Sequence, residues 1–435
     1  MIIEFNLKNI AVRLFVIALA LGAFALLVVL IVSRFIVGTL SDERFVYGRE
    51  TLETPYKYFP NSARLNGRFA EAELLESDRD LAHAEQLALR AISLSPFDYR
   101  YQLTMASIKE AQGDRARAED ALRAALALAP NDRNVHWRLA NALLRQGKLA
   151  ASVEEFHIVV DADIHFLPVT LDLIWRASRG SVEAVEAITG TGTGARLQLA
   201  QFLVRQSKFA EAANVFRSID RSARLASIES AGFLNSLVAA DSLALAHELW
   251  ANLIAEGGNP ASLIWNGGFE SDILKNFSQF DWPLGRSDYA RLTIDTSRPH
   301  SGSRALKIEF LGRDTTELKD ELRQLVIVRP GARYRVECYV KSENLTTPDG
   351  PRLVVTDKGG TWIAQSDPVA AGSNDWTLLS VEFVAPKVAD ASSAVYVSIK
   401  RKSKYGYDEP TRGAIWLDDF TMKEQKSEVR SQKSE

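Results

Sequence analysis

Cysteine is nearly absent from this sequence, methionine and histidine are scarce, and neither sign of charge is in excess. The single cysteine, Cys338, excludes a disulfide within the chain, and its strand-like surroundings predict a small core residue. The 52 basic and 55 acidic side chains leave no surplus of positive charge, so nucleic acid is not an expected partner. Because the sequence carries no nucleophile elbow or other Ser/His/Asp signature, we expect a protein that is not an enzyme.

Charge is missing altogether between residues 14 and 32, which read LFVIALALGAFALLVVLIV. At a helical rise of about 1.5 Å per residue, a run of this length spans roughly the hydrocarbon core of a bilayer. The alternative is a cleaved signal peptide, since Lys8 and Arg13 precede the run. Such peptides have a shorter apolar segment followed by a small-x-small cleavage site, which is not found here. The pattern therefore predicts a short N-terminal segment, 1–13, and a transmembrane signal anchor, 14–37.

Orientation is less strongly encoded, because basic residues flank the run on both sides and long domains translocate largely regardless of their charge. We expect a single-pass protein of a bacterial inner membrane. Its short N-terminus would lie inside and its C-terminal domains in the periplasm or outside.

Helical repeats follow a connector over 38–58. Residues 59–258 are rich in Ala, Leu, Glu and Arg, which favour helix. Aligned on itself with an offset of 34 residues, the chain superposes Pro96 on Pro130 and Gly113 on Gly147. A period of this length is typical of stacked helical pairs.

These residues resemble the tetratricopeptide repeat. The best unit is YQLTMASIKEAQGDRARAEDALRAALALAPND, with Ala106, Gly113, Ala118 and Pro130 at the positions the resemblance implies. The resemblance implies pairs of antiparallel helices that stack into a superhelix with a groove for a protein partner. The alternative is a spacer that only holds the next domain away from the membrane.

The hydrophobic period changes from 3.6 to 2 at about residue 259. Segments such as RYRVECYVKS and VYVSIKR alternate apolar and polar residues, with Pro, Gly, Asn and Asp clusters between them. This pattern predicts an antiparallel sandwich over 259–423, followed by a disordered polar tail, 424–435. The fold class is thus multidomain α plus β, with a transmembrane helix, a tetratricopeptide-like solenoid and an antiparallel β-sandwich.

Four motifs of this region, in order, resemble the jelly-roll carbohydrate-binding modules of the family four, nine and twenty-two group, within the galactose-binding-like fold, so the resemblance implies a jelly-roll sandwich. They are Asn266-Gly267-Gly268-Phe269-Glu270, His300-Ser301-Gly302-Ser303-Arg304-Ala305-Leu306, Pro330-Gly331-Ala332-Arg333-Tyr334 and Trp416-Leu417-Asp418-Asp419-Phe420. The resemblance implies that the sandwich binds a polysaccharide.

The same resemblance implies a structural calcium where the first and last strands meet. Its ligands would be Glu270, one of Asp418 or Asp419, and backbone oxygens near Ser301. Calcium takes oxygen ligands of this kind. The alternative is that these carboxylates satisfy strand ends.

Sugar binding requires an exposed aromatic face with hydrogen-bonding groups beside it. Alternation places Tyr339 and Tyr396 opposite the residues predicted to form the core. Trp362, with Gln365 beside it, and Trp282, in a loop-like stretch, are the other candidates. The alternative is ordinary packing of aromatic residues on strands, and by resemblance Trp376 and Tyr334 are expected in the core.

Three functions compete on these observations. The first is a membrane-anchored scaffold of the bacterial envelope that recruits a protein through its repeats and a glycan through its sandwich, in exopolysaccharide or cell-wall assembly. The second is a protein-docking device whose sandwich has no sugar site. The third, a glycan-active enzyme, lacks a recognisable pair of carboxylates.

Overall fold

A computed structural model of the chain describes residues 10–40, 48–254, 262–313, 317–387, 393–402 and 410–425. Helices come first and strands last, as the α plus β prediction requires. The chain divides into two compact units, Met1–Gly190 and Thr191–Glu435. Outside the described residues lie the N-terminal residues 1–9, residues 41–47 of the predicted connector, the predicted boundary between 258 and 259, residues 314–316, 388–392 and 403–409 of the predicted sandwich, and the tail from 426 onward.

The apolar run lies in a long helix, α1 (Ile10–Leu40). Its stretch Arg13–Phe35 is long and apolar enough to cross a membrane, and none of it is buried within the protein. At about 1.5 Å per residue this stretch exceeds the roughly 30 Å of bilayer hydrocarbon. By length and composition alone, α1 fits either a single membrane span or a signal sequence.

Short helices make up the rest of the first unit. Their bounds are α2 (Arg49–Tyr58), α3 (Ala63–Leu75), α4 (Leu81–Leu94), α5 (Tyr99–Ala111), α6 (Arg115–Leu128), α7 (Arg133–Arg145), α8 (Leu149–Ala162), α9 (Leu167–Ala177) and α10 (Val182–Ala187).

Helix α5 and helix α6 form the best tetratricopeptide unit. The turn between them contains Gly113, whose φ of 80° favours glycine. Asp114 caps α6 by accepting a hydrogen bond from the Arg117 N–H at 3.1 Å. Ala106 and Ala118, predicted where the two helices approach most closely, are buried. The helical pair is therefore built as the sequence predicts.

Successive pairs in the first unit are joined by hydrogen bonds between residues about one repeat apart. The Tyr99 hydroxyl donates to Asp132 Oδ2 at 2.8 Å, and the Gln146 amide donates to the Arg115 carbonyl at 3.1 Å. Because each bond joins residues about one repeat apart, it links one helical pair to the next, as the stacking of neighbouring repeats requires.

The second unit begins with five helices and continues into the sheets. The helices are α11 (Thr193–Arg205), α12 (Phe209–Arg217), α13 (Arg221–Ala226), α14 (Ile228–Ala239) and α15 (Leu243–Ile254). The strands are β1 (Ala290–Asp295), β2 (Ala305–Leu311), β3 (Arg323–Val328), β4 (Arg333–Thr346), β5 (Arg352–Thr356), β6 (Trp362–Gln365), β7 (Gly372–Val384), β8 (Ser393–Lys400) and β9 (Arg412–Glu424).

The strands form two antiparallel sheets, a five-stranded sheet in the order β1-β2-β9-β4-β7 and a four-stranded sheet in the order β3-β8-β5-β6. Side chains from both sheets make one buried cluster between them. In β4, Tyr334, Val336, Cys338 and Val340 all point into this core and are nearly inaccessible, as the alternation predicts. Burial raises the pKa of the Cys338 thiol, so this cysteine stays protonated and unreactive.

Helix α15 packs directly against the entry to the sandwich. Trp250 is buried, and its indole Nε1–H donates to the Phe277 carbonyl at 2.6 Å. Its ring also meets Trp265 edge to face, with centroids 5.3 Å apart. The last helix therefore packs on the segment that leads into the sandwich.

Candidate functional site

The outer face of the five-stranded sheet carries a row of aromatic side chains. Trp416 in β9 lies between Ile415 and Leu417, which point into the core, so its ring lies on the opposite face. Trp376 in β7 also points outward and packs against the cluster of Ala305, Ala414 and Trp416. Aromatic residues with this placement meet the first requirement of a sugar-binding surface, a flat apolar face.

Tyr339 of β4 joins this face through His300, which lies in the loop before β2. The two rings are stacked, with centroids 3.8 Å apart and planes inclined by 16°. His300 also meets the edge of Trp376, with centroids 5.2 Å apart. We call Tyr339, His300, Trp376 and Trp416 the aromatic face.

Charged groups surround the aromatic face. The Arg298 guanidinium and the Lys307 ammonium lie 4.8 and 5.3 Å from the centroid of the Trp416 ring, within range of cation–π attraction. The Trp416 Nε1–H donates to Asp295 Oδ2 at 2.5 Å. Lys341, paired with Asp375 at 2.6 Å, supplies a further donor. The face thus combines rings with hydrogen-bonding groups, as recognition of hydroxyl-rich ligands requires.

The His300 loop is held in place by carboxylates from the end of β9. Asp418 Oδ2 accepts hydrogen bonds from the backbone N–H groups of His300 and Ser301, at 2.8 and 3.2 Å. Asp419 pairs with His300 Nδ1 at 2.6 Å and accepts from the Ser301 hydroxyl at 2.7 Å. Asp418 is fully buried, and burial raises its pKa to about 6. These contacts position His300 against Tyr339.

The predicted calcium ligands meet around this loop. Glu270 accepts from the Ser303 N–H and hydroxyl at 2.7 and 2.6 Å and from the Arg304 N–H at 3.0 Å. The Asp419 N–H donates to Asp418 Oδ1 at 2.7 Å, so every oxygen of the three carboxylates already has a protein partner. In the part of the chain that the structure describes, no three His, Cys, Asp or Glu side chains form a group that could hold a metal. These hydrogen bonds hold the three carboxylates around the loop, and calcium binding there, which takes six to eight oxygen ligands, stays a prediction of the family resemblance.

The other predicted sugar ligands are not brought together. Trp362, 41% exposed, and Gln365, also exposed, lie in β6 at the edge of the four-stranded sheet. Tyr396 lies in β8 of that sheet, where the Arg323 guanidinium covers its ring at 4.5 Å.

Two sequence-based placements of tryptophan are wrong. The sequence analysis gives Trp282 as a candidate for sugar stacking, but it is fully buried and packs on Phe420 with ring centroids 4.7 Å apart, so it offers no face to a sugar. The family resemblance places Trp376 in the core, but it lies on the outer face, where it is partly exposed. Side chains of a strand alternate between its two faces, and Leu379, Val381 and Phe383 at odd positions of β7 point inward. Trp376 stands at an even position, so the sequence itself indicates that it lies on the outer face.

In the first unit, polar contacts join the first helices of successive pairs. The Thr104 hydroxyl of α5 donates to Glu71 Oε1 of α3 at 3.2 Å, and Arg138 of α7 donates to the Leu103 carbonyl at 3.1 Å. Arg68 also pairs with Glu71 at 2.7 Å. These contacts therefore link each repeat to the next through polar groups.

Comparison with known families supports both halves of this description. Residues 103–164 match the family described as a tetratricopeptide repeat, and residues 261–405 match a carbohydrate binding domain. The two resemblances predicted from the motifs are confirmed. Such repeats suggest protein–protein interaction, and such a domain suggests glycan binding. Comparison with curated proteins gave no match.

Solved structures similar to parts of the chain include a thermophilic TPR protein from Thermus thermophilus, at 22% identity and a TM-score of 0.26, over 30% of this chain and 70% of that one. The MamA protein matches at 13% identity and a TM-score of 0.30, over 36% and 83%. An arabinose-bound α-L-arabinofuranosidase matches at 14% identity and a TM-score of 0.29, over 40% of this chain and 28% of the enzyme.

Proposed function

We propose that this protein is a membrane-anchored, non-enzymatic scaffold of the bacterial cell envelope. Its repeats bind a protein partner and its sandwich binds a glycan, in exopolysaccharide or cell-wall assembly. The observation that carries the proposal is the aromatic face, because it lies on an open sheet of a domain that matches a carbohydrate binding family.

Trp376 is the residue in the aromatic face on which a sugar ring stacks. Tyr339 and Trp416 are less open, since His300 covers one ring and Arg298 with Lys307 covers the other. Trp376 is partly exposed, and Lys341 and Asp375 beside it supply a donor and an acceptor for hydroxyl groups. A stacked sugar held by flanking polar groups is the usual form of such recognition.

The alternative favoured by a specific observation is a sandwich that docks a protein and has no sugar site. Trp416, covered by Arg298 and Lys307, is only 3% exposed, so its ring offers little surface to a sugar. In that case the rings of the aromatic face only pack against one another at the surface of the sheet, and the sandwich binds no glycan.

The test of glycan binding uses the purified full chain in a detergent without a sugar headgroup, applied to an array of bacterial polysaccharides. We expect retention on at least one polysaccharide and its loss in Trp376→Ala. Trp362→Ala, the same change on the other sheet, is the matched control and retains binding. A folded full chain that binds no polysaccharide supports the docking alternative.

The anchor is tested separately by fractionation of cells that express the full chain. We expect it to remain in the membrane pellet after alkaline extraction, because α1 offers an apolar surface that is not buried in the described part of the protein. Protease added to spheroplasts should digest the C-terminal domains if they lie outside the inner membrane. A chain recovered from the soluble periplasm would contradict the anchor.

A further inference from the structure

Strand β7 (Gly372–Val384) lies at one end of the five-stranded sheet, and only one of its two edges is paired. It pairs with β4 and with no other strand in the part of the chain that the structure describes. The pairing is irregular up to Asn374 and regular from Thr377 to the end of the strand. An open, regular edge offers a row of backbone donors and acceptors, so it is a template for another strand.

The backbone groups that face the open edge follow from the contacts of Ala385, just after β7. Its N–H donates to the Ala332 carbonyl at 2.9 Å, and its carbonyl accepts from the Gly331 N–H at 3.1 Å, both at the start of β4. Successive residues of an antiparallel strand direct these groups to opposite sides. The N–H and C=O groups of the even-numbered residues from Leu378 to Val384 therefore point to the open edge.

The side chains along this edge are unusually apolar for a surface. Leu378 and Val384 are each 50% exposed, more than any other large apolar side chain described between residues 262 and 425. Glu382, the one charged residue between them, pairs with Arg335 of β4 at 2.5 Å. The segment contains neither proline nor lysine, the residues that commonly protect an edge strand from association.

The order of these side chains is complementary to itself in one antiparallel register, with a twofold axis at Val381. Leu378 of one copy would then lie opposite Val384 of the other, and Ser380 opposite Glu382. The two exposed apolar side chains meet, and a hydroxyl meets a carboxylate, on both sides of the axis. An axis at Ser380 would instead set Leu378 against Glu382, and an axis at Glu382 would set two carboxylates opposite each other.

We propose that β7 is a dimerisation edge, to which a second copy of this chain adds its own β7 about a twofold axis at Val381. The opposed even-numbered residues exchange pairs of hydrogen bonds, about eight bonds in all. Such a twofold contact uses the same surface on both copies, so the assembly closes as a dimer. The two five-stranded sheets join into one, with both aromatic faces on the same side.

This pairing does not depend on glycan binding. Its consequence for function does rest on the glycan site proposed above, because the dimer would present two aromatic faces to a single polysaccharide and bind it more tightly than one face does.

The test is cross-linking of the full chain in detergent. Leu378→Cys and Val384→Cys are mixed, left to exchange subunits and treated with a mild oxidant. Opposed residues of a hydrogen-bonded pair have Cα atoms about 5.5 Å apart, which suits a disulfide. In the same register the two copies of residue 378 lie roughly 20 Å apart, and so do those of residue 384. Each variant alone is therefore a control, and the wild type controls for the buried Cys338.

We expect a cross-linked dimer in the mixture and in neither variant alone. Light scattering should find the wild type as a dimer. Leu378→Lys places a charge on the apolar edge and should raise the dissociation constant of the dimer at least about tenfold. Trp362→Lys, at the edge of the other sheet, is the matched control and leaves this constant unchanged.

Melting curves establish that each variant is folded. The inference is overturned if the folded wild type is a monomer, if the mixture does not cross-link, or if either single variant cross-links as readily as the mixture. None of these measurements involves a glycan, so a failure of the proposed glycan site leaves their outcome unchanged.

Discussion

His300 lies flat against Tyr339, with ring centroids 3.8 Å apart, although the two residues come from a loop and from the middle of a strand. The loop reaches this position because Asp418 and Asp419, at the end of β9, accept its backbone and side-chain donors. The same network therefore joins the strand ends and shapes the aromatic face. A sugar that reaches Tyr339 must displace His300 or bind beside it against Trp376.

Removal of the His300 ring should reduce stability modestly. Stacked aromatic pairs contribute about 0.5–1.5 kcal/mol beyond their burial, and we expect His300→Ala to lower the free energy of unfolding by about 1 kcal/mol. His165→Ala is the matched control, since that side chain is 91% exposed and its loss should cost less than about 0.5 kcal/mol. Equal effects of the two changes in denaturant unfolding would contradict a structural role for the stack.

A substitution at Asp418 tests whether the hydrogen-bond network at the end of β9 needs a bound metal. Its carboxylate accepts three backbone hydrogen bonds, and hydrogen bonds to a charged group are worth about 1.5–3 kcal/mol each. We expect Asp418→Ala to lower the melting temperature equally with calcium and with chelator. If calcium raises the melting temperature of the wild type but not of this variant, the calcium site predicted from the family resemblance exists after all.

Asp281 and Asp418 should each stabilise the second unit in mild acid. Burial raises the pKa of Asp281 and of Asp418 to about 6, whereas an aspartate in an unfolded chain titrates near ~3.9. Between about pH 3.9 and about pH 6 the folded state binds more protons at these groups than the unfolded state does. Their contribution to stability therefore falls as the pH rises through this window and is lowest above about pH 6.

Asp281 and Asp418 should therefore each raise the unfolding free energy by about 1 kcal/mol between pH 7 and pH 5, and the melting temperature with it. Protonation of His247, whose pKa burial lowers, acts in the opposite direction and reduces the net rise. Asp281→Asn removes one of the two groups and should flatten the rise. Asp272→Asn, a change at an exposed carboxylate, is the control. Identical pH profiles for wild type and Asp281→Asn would show that Asp281 ionises normally.

Trp250 tests whether the last helix and the sandwich unfold together. In Trp250→Phe the Phe277 carbonyl loses its donor, which costs about 1–3 kcal/mol for a buried acceptor. We expect the helical signal of the second unit and the near-ultraviolet signal of the sandwich to shift by the same amount. Trp362→Phe, at an exposed position, should change neither. A shift of one signal without the other would separate the helices from the sandwich.

Local patterns were enough to predict much of the fold. The 34-residue spacing of Gly113 and Gly147 marks the turns of two helical pairs, and both glycines have the positive φ that such turns require. Period-2 alternation identified the core side of β4 because a half-buried strand repeats its environment every second residue. These features depend on neighbours within one element, which a single sequence contains.

The parts that could not be predicted depend on contacts between distant segments. Trp282 lies in a stretch without period, so nothing local indicates that it packs on Phe420. The stacking of His300 on Tyr339 depends on carboxylates at the far end of the chain. By contrast, strand parity alone indicates the side of Trp376, and the expectation drawn from the family resemblance pointed the other way.

The affinity of the full chain for a polysaccharide that it retains, compared between wild type, Trp376→Ala and Trp362→Ala, tests the central claim most directly. Loss of a stacking ring at the aromatic face should raise the dissociation constant at least about tenfold, or ~1.4 kcal/mol. The account predicts this loss for Trp376→Ala and an unchanged constant for Trp362→Ala, with all three proteins folded. Unchanged affinity in Trp376→Ala, or loss only in Trp362→Ala, would contradict a glycan site on the five-stranded sheet.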